Sequence, residues 1–172
     1  MMKRVRQFFR ALFADVSAED RAFAKKHLDE RQRVLFFGVS VPDQQHAIRT
    51  ARTALSLAES ATGEIDLPLL TRCALLHDVG RKKGDLGTCG KTFAVLFAAL
   101  FPRFARACGR DESNGIIARK MHVYFHHPEI GADALSSMGY SQEAEIIRKH
   151  HKAPAEDDPP ELRILRMADE LN

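Results

Sequence analysis

One apolar run that ends in a histidine and an aspartate constrains the fold of this 172-residue chain more than any other feature. The pair is His77-Asp78, and Gly80 follows it almost at once. Burying an imidazole and a carboxylate is costly unless a partner compensates for the lost water. A metal ion is the favoured partner, because imidazole and carboxylate together suit Fe, Mn, Ni, Zn or Mg. The apolar run comprises Leu69, Leu70, Cys73, Ala74, Leu75 and Leu76.

Almost every other segment also has its apolar residues at helical spacing. Ser17 opens a capping box before a helix that is predicted to reach about Gln32. Proline breaks helices, so Pro128 is predicted to separate a helix over 113–125 from another over 128–138. No alternating strand pattern of useful length and no internal repeat occurs in the sequence. The sequence therefore predicts an all-α fold, a helical bundle around a polar centre.

The chain is long enough and apolar enough, at 45% hydrophobic residues, to bury one core. The predicted division is an N-terminal helical extension over residues 1–41 and a main domain over residues 42–172. The first helix of the extension is amphipathic and basic, so packing on the domain, homodimerisation and peripheral contact with an anionic membrane are all open to it. A mostly apolar helix, bent at Pro102, is predicted from Thr92 to about Cys108.

Charge and cysteine content exclude several classes of protein. The net charge is only +3, and no basic cluster resembles a nucleic-acid-binding motif. The three cysteines lack metal-binding or disulfide-framework spacing, and Cys73 is predicted to be a small buried apolar residue. No secretory signal is visible, and the longest apolar run, Phe93 to Phe101, is too short to cross a bilayer. We therefore expect a cytoplasmic, reducing location.

More histidines and one more aspartate lie where the predicted helices begin or end, beside residues expected to face the core. His46 precedes Ala47 and Ile48, for example, and Asp169 comes four residues after Leu165. Side chains from separate helices can converge on one buried point, as they do in helical metalloproteins. The candidate metal ligands are His46, His77, Asp78, His127, His150, His151 and Asp169.

The order of these residues resembles the HD-domain superfamily of metal-dependent phosphohydrolases. The resemblance covers about Pro42 to Asn172 and implies a helical bundle around a buried metal site. The motifs that carry it are His46, Leu-Leu-His77-Asp78-Val-Gly-Arg81, His127-Pro-Glu-Ile-Gly131, Ile-Arg-Lys-His150-His151 and Ala168-Asp169-Glu-Leu-Asn172. The Gly-Tyr-Pro motif of the cyclic-di-GMP phosphodiesterase branch is missing after His151, which argues against that substrate.

The resemblance also implies a role for each candidate ligand. Members with one metal ion bind it through residues that match His46, His77, Asp78 and Asp169. Members with two ions add ligands that match His127 and His150, with Asp78 bridging, and one branch adds a ligand that matches His151. The implied cofactor is therefore one or two divalent ions.

Arg81 stands where many members of that superfamily have lysine in a His-Asp-Ile-Gly-Lys motif. Guanidinium groups bind phosphate in a bidentate manner, so arginine and lysine are not interchangeable at such a position. Arg81 is predicted to act with Asp78 in catalysis and to bind substrate phosphate together with Lys82 and Lys83.

The leading hypothesis is a hydrolase that cleaves a phosphoester or phosphoanhydride bond of a small substrate, a nucleotide above all. A bound divalent ion lowers the pKa of its water and so generates the attacking hydroxide. Two alternatives stay open, namely a non-catalytic metal- or nucleotide-binding regulatory domain and a di-iron oxygenase with the same ligands. His122 and His126 lie one helical turn apart and either chelate metal, face the substrate or lie on the surface.

Overall fold

The computed structural model describes residues 15–81 and 116–172. These residues form seven α-helices and no strand, which confirms the predicted all-α fold. None of the described helices is both long and apolar enough to cross a membrane. Outside the described part lie residues 1–14 with most of the predicted N-terminal helix, the helix predicted from Thr92, and the residues Lys82 and Lys83. The helices are α1 (Ala18–His27), α2 (Glu30–Phe37), α3 (Val41–Glu59), α4 (Leu67–Leu76), α5 (Ile116–Ser137), α6 (Ser141–Lys149) and α7 (Pro160–Leu171).

Helix α4 is the central helix of the fold, because seven of its ten side chains are buried and six of those seven are apolar. Asp66 caps it by accepting a hydrogen bond from the backbone N–H of Leu69 at 2.8 Å. Helices α3, α6 and α7 all pack against α4, and α5 packs against α6. The residues that follow the last turn of α4 are therefore surrounded by other helices. The buried residues of α4 include Leu70, Leu75, Leu76 and, as predicted, Cys73.

The helix predicted from Ser17 to about Gln32 is wrong in its extent, because the structure has two helices there. The capping box at Ser17 is confirmed, since its side chain accepts from the backbone N–H of Asp20 at 3.1 Å. A second capping box, formed by Asp29 with Gln32, starts α2 and explains the break. Both helices contribute to the same core as α4, with Phe36 completely buried. The division at residue 41 stays a prediction.

Helix α5 continues through Pro128, so the prediction of two helices here is wrong. Proline has no N–H, which leaves the carbonyl of Tyr124 without its amide donor four residues later. The imidazole of His127 supplies the donor instead, with Nδ1 3.1 Å from that carbonyl oxygen. A side-chain hydrogen bond thus takes the place of the missing backbone bond, and the helix stays whole.

Candidate metal centre

The candidate ligands meet at the C-terminal end of α4. His77 and Asp78 follow its last residue and are only 1% and 3% exposed. Helices α3, α5, α6 and α7 bring the other predicted ligands to the same place, because all of them pack around α4 or its immediate neighbour. Those ligands are His46 from α3, His127 from α5, His150 and His151 after α6, and Asp169 from α7.

The donor atoms form overlapping groups, and within each group all of them lie within 4.8 Å of one another. Two of the histidines belong to more than one group, so the groups make up one continuous centre. The structure thus brings together every residue that was predicted as a ligand. The groups are His46, His77 and Asp169; His77, Asp78 and His150; and His127, His150 and His151.

The donor atoms in the group around Asp169 are closely spaced. Its Oδ1 lies 2.9 Å from Nε2 of His46 and 3.6 Å from Nε2 of His77. The two Nε2 atoms are 3.3 Å apart, and Nε2 of His77 is 3.6 Å from Oδ2 of Asp78. Nitrogen and oxygen donors that face one another at such distances form a set that a divalent cation can bind.

Three of the imidazoles are held in place by the backbone carbonyl three residues earlier in the chain. A carbonyl oxygen only accepts hydrogen bonds, so Nδ1 carries the hydrogen and Nε2 of the neutral ring carries the lone pair. Metal-binding histidines show this arrangement, in which the outer nitrogen fixes both tautomer and ring orientation. The pairs are His77 with Ala74 at 2.9 Å, His127 with Tyr124 at 3.1 Å and His150 with Ile147 at 2.6 Å.

Two buried acceptor atoms of the centre have no hydrogen-bond partner among the described residues, namely Oδ1 of Asp78 and Nε2 of His150. Oδ1 lies 3.2 Å from Nε2 of His127, but the two atoms do not have hydrogen-bond geometry. An unpaired buried polar atom costs about 1–3 kcal/mol. The donor set, the fixed lone pairs and the two unpaired atoms together fit a divalent metal ion.

Both carboxylates of the centre are ionised. Burial opposes the charge on Asp78, but the Arg81 guanidinium and His77 hold the pKa of its carboxyl well below the usual range. Burial also opposes the charge on Asp169, but a hydrogen bond from His46 and the nearby His77 imidazole lower the pKa of that carboxyl. The centre therefore offers negative charge to a cation without needing to release carboxyl protons.

The imidazoles on the other side of the centre are neutral. Burial and the nearby Arg81 lower the pKa of His127 to about 4. Burial and the charge on His77 lower the pKa of His150 well below its usual value, and burial also lowers the pKa of His151. No proton therefore has to leave these three imidazoles before a metal ion binds at neutral pH.

His77 differs, and we expect the metal-free protein to release about one proton from it on binding Mn²⁺ near neutral pH. Burial opposes its charge, but Asp78 and Asp169 raise the pKa of His77 to about 9. A ligand imidazole must be neutral, so apparent affinity should rise about tenfold per pH unit up to that pKa. Calorimetric titration in buffers of different ionisation enthalpy measures the proton count. Binding without proton release would contradict a protonated His77.

The same shift has a consequence for the stability of the metal-free protein. A raised pKa in the folded state means that the protonated His77 stabilises the fold below its unfolded pKa of 6.5. That contribution is lost as the pH rises through about 9. The measurement is thermal unfolding across this pH range, once without metal and once with bound metal. Because a ligand imidazole is neutral, a loss of stability that occurs only without metal belongs to His77 and not to other titrating groups.

Arg81 lies between two of the candidate ligands. Its Nη1 donates to Oδ2 of Asp78 at 2.6 Å, and its Nη2 lies 2.9 Å from Nε2 of His127. The rings of His122 and His126 lie 4.7 Å apart on α5, and neither residue belongs to the donor groups.

Two glycines hold the His77-Asp78 turn directly against α5. A Cβ added at Gly80 would lie 2.1 Å from the carbonyl oxygen of His127, and one added at Gly131 would lie 3.1 Å from the nitrogen of Gly80. The two backbones therefore meet with no side chain between them. Both glycines lie in the sequence motifs given above, but the contact between them was not predicted. The available signal was a glycine inside an otherwise good helix, four residues after a candidate ligand.

Comparison with known protein families locates the match in the same part of the chain. The family model described as HD domain matches residues 44–172, which is three quarters of the sequence. Searches of curated proteins and of solved structures gave no significant match. The matched segment contains all of the candidate ligands, from His46 to Asp169.

Proposed function

The chain belongs to the HD-domain family, and from that membership we propose that it is a metal-dependent phosphohydrolase that acts on a nucleotide. HD domains are in general metal-dependent hydrolases. The observation that carries the proposal is the set of three imidazoles that backbone carbonyls hold in place beside the ionised carboxylates of Asp78 and Asp169. Such a set is suited to holding a divalent ion in a fixed orientation.

The proposed ligands divide into two sets that share Asp78. When bound, the divalent ion supplies a polarised phosphoryl oxygen and a water of lowered pKa. The ionised carboxylates would hold it electrostatically, and the imidazoles would give it lone pairs once His77 has lost its proton. The first set is His46, His77, Asp78 and Asp169, and the further donors are His127, His150 and His151.

Arg81 is the proposed contact for the substrate phosphate. Its guanidinium carries five N–H donors, and Asp78 and His127 each take one of them. Its side chain is 19% exposed, so part of the group faces the solvent from which a substrate arrives. A guanidinium there neutralises phosphate charge in the ground state and the charge that develops in the transition state. Lys82 and Lys83, next along the chain, are proposed to add positive charge.

The test is hydrolysis by metal-stripped protein that has been reloaded with Mn²⁺, Fe²⁺ or Mg²⁺, with the nucleotide and phosphate products separated by chromatography. The panel comprises nucleoside mono- and triphosphates, dinucleoside polyphosphates and a chromogenic phosphomonoester. We expect metal-dependent hydrolysis of at least one of the nucleotides and a loss on the order of 10²–10³-fold in Asp169→Asn. Glu145→Gln is the control, because that exposed side chain pairs with Lys149 on the surface.

Other outcomes of this test would point elsewhere. Absence of hydrolysis of every substrate by metal-loaded, folded protein would contradict the proposal. Tight nucleotide binding without turnover would favour a regulatory domain, and oxygen consumption by the Fe²⁺ form would favour an oxygenase.

A further inference from the structure

The contacts of Arg81 determine how many metal ions the centre can hold. Nδ1 of His127 carries the ring hydrogen, because it is bonded to the carbonyl of Tyr124. The lone pair of His127 is therefore on Nε2, which is the atom that the guanidinium of Arg81 contacts at 2.9 Å. Arg81 thus occupies the lone pair that a metal ion would need from this histidine.

The same guanidinium also donates a hydrogen bond to the carboxylate of Asp78. Its Nη1 is 2.6 Å from Oδ2, so one planar cation spans the carboxylate and the imidazole of His127. An arginine side chain keeps its charge at any pH that a protein tolerates. Unlike lysine, it cannot leave this position by losing a proton, and a divalent ion in the same place would meet a fixed positive charge.

The donor group on the other side of the centre has no such cation among the described residues. The partners of Asp169 there are the imidazoles of His46 and His77, at 2.9 and 3.6 Å. A divalent ion that binds there displaces only protons, whereas one that binds at His127 must first displace a guanidinium with two short contacts. The two halves of the centre therefore differ in their access to metal.

We propose that Arg81 is a built-in cation that fills the second metal position, so that the chain binds one ion through His46, His77, Asp78 and Asp169. This inference rests on the proposed function, since it concerns the metal content of the proposed hydrolase. The guanidinium takes over the charge that a second ion contributes in members with two metals. His127 then serves as a hydrogen-bond acceptor that positions Arg81.

The test is the number of Mn²⁺ ions per chain, measured by mass spectrometry after reconstitution and dialysis. We expect about one ion in the wild type, about two in Arg81→Ala and about one again in Arg81→Ala/His127→Ala. Low-temperature electron paramagnetic resonance should show isolated Mn²⁺ in the wild type and an exchange-coupled pair in Arg81→Ala. Neither readout depends on activity.

Arg81→Gln and His127→Ala keep the test decisive if Arg81→Ala does not fold. Glutamine removes the charge but keeps an N–H donor for Asp78, and we expect it to raise the metal content as alanine does. His127→Ala in the wild-type background should leave the content at about one ion. About two ions in the wild type, or no increase in folded Arg81 variants, would overturn the inference and leave the proposed function standing. No bound ion in folded wild type would instead contradict the proposed function.

Discussion

Asp78→Asn is expected to reduce the metal content to less than about a tenth of an ion per chain and phosphate release by roughly 10³-fold. Oδ2 of Asp78 lies 3.6 Å from Nε2 of His77, and Oδ1 lies 3.2 Å from Nε2 of His127. The carboxylate thus faces His77 on one side of the centre and His127 on the other. Asparagine keeps its shape but removes the charge and turns one oxygen into a hydrogen-bond donor.

The measurement is metal content by mass spectrometry together with the rate on the best substrate of the nucleotide panel. Asp133→Asn is the matched control, because that exposed carboxylate pairs with Arg148 on the surface and lies away from the centre. Circular dichroism establishes that both variants are folded. A folded Asp78→Asn protein with its full metal content would show that the ion binds elsewhere.

Gly80→Ala is expected to lower the free energy of unfolding by about 3 kcal/mol or more and to reduce metal affinity strongly. The added Cβ would lie 2.1 Å from the carbonyl oxygen of His127, which is far too close for a carbon and an oxygen that are not bonded to each other. That oxygen belongs to the backbone of α5 and cannot rotate away. The turn that carries His77 and Asp78 would have to move off the helix, which would separate those side chains from His127.

Gly131→Ala is the control, because it adds a methyl group to the same contact from the opposite side. Its Cβ would lie 3.1 Å from the nitrogen of Gly80 and 3.4 Å from the side chain of Val79. The gain in helix propensity of about 1 kcal/mol offsets this mild crowding, so we expect little change in stability. Urea denaturation and calorimetric titration with Mn²⁺ measure both quantities. Equal effects of the two substitutions would contradict the account of a close backbone contact at Gly80.

The sequence was sufficient to predict the fold class and the end of α4, but not the course of α5 through Pro128. His77 and Asp78 follow α4 and Asp169 lies in the last helix, as predicted, because apolar periodicity and caps are local signals. The convergence of the seven candidate ligands was also predicted, but its distances were not, since they depend on how α3, α5, α6 and α7 pack around α4.

Local rules failed where a side chain supplied what the backbone lacked. Pro128 breaks a helix unless another donor reaches the carbonyl of Tyr124, and sequence alone does not show that His127 does so. The break at Asp29 was missed because its partner Gln32 reads equally well as an ordinary helix residue. The contact between Gly80 and Gly131 depends on packing between segments far apart in the sequence.

The carbonyl bonds to His77, His127 and His150 also determine when the entropy of ordering these three side chains is lost. Each bond restricts its ring in the folded chain, before any ion arrives. Ordering a side chain at a binding site otherwise reduces affinity by about 0.5–1.5 kcal/mol per side chain. Here that loss occurs during folding, so ion capture does not have to wait for these rings to rotate. The association rate should then follow the rate at which the hydrated ion exchanges its water, faster for Mn²⁺ than for Mg²⁺.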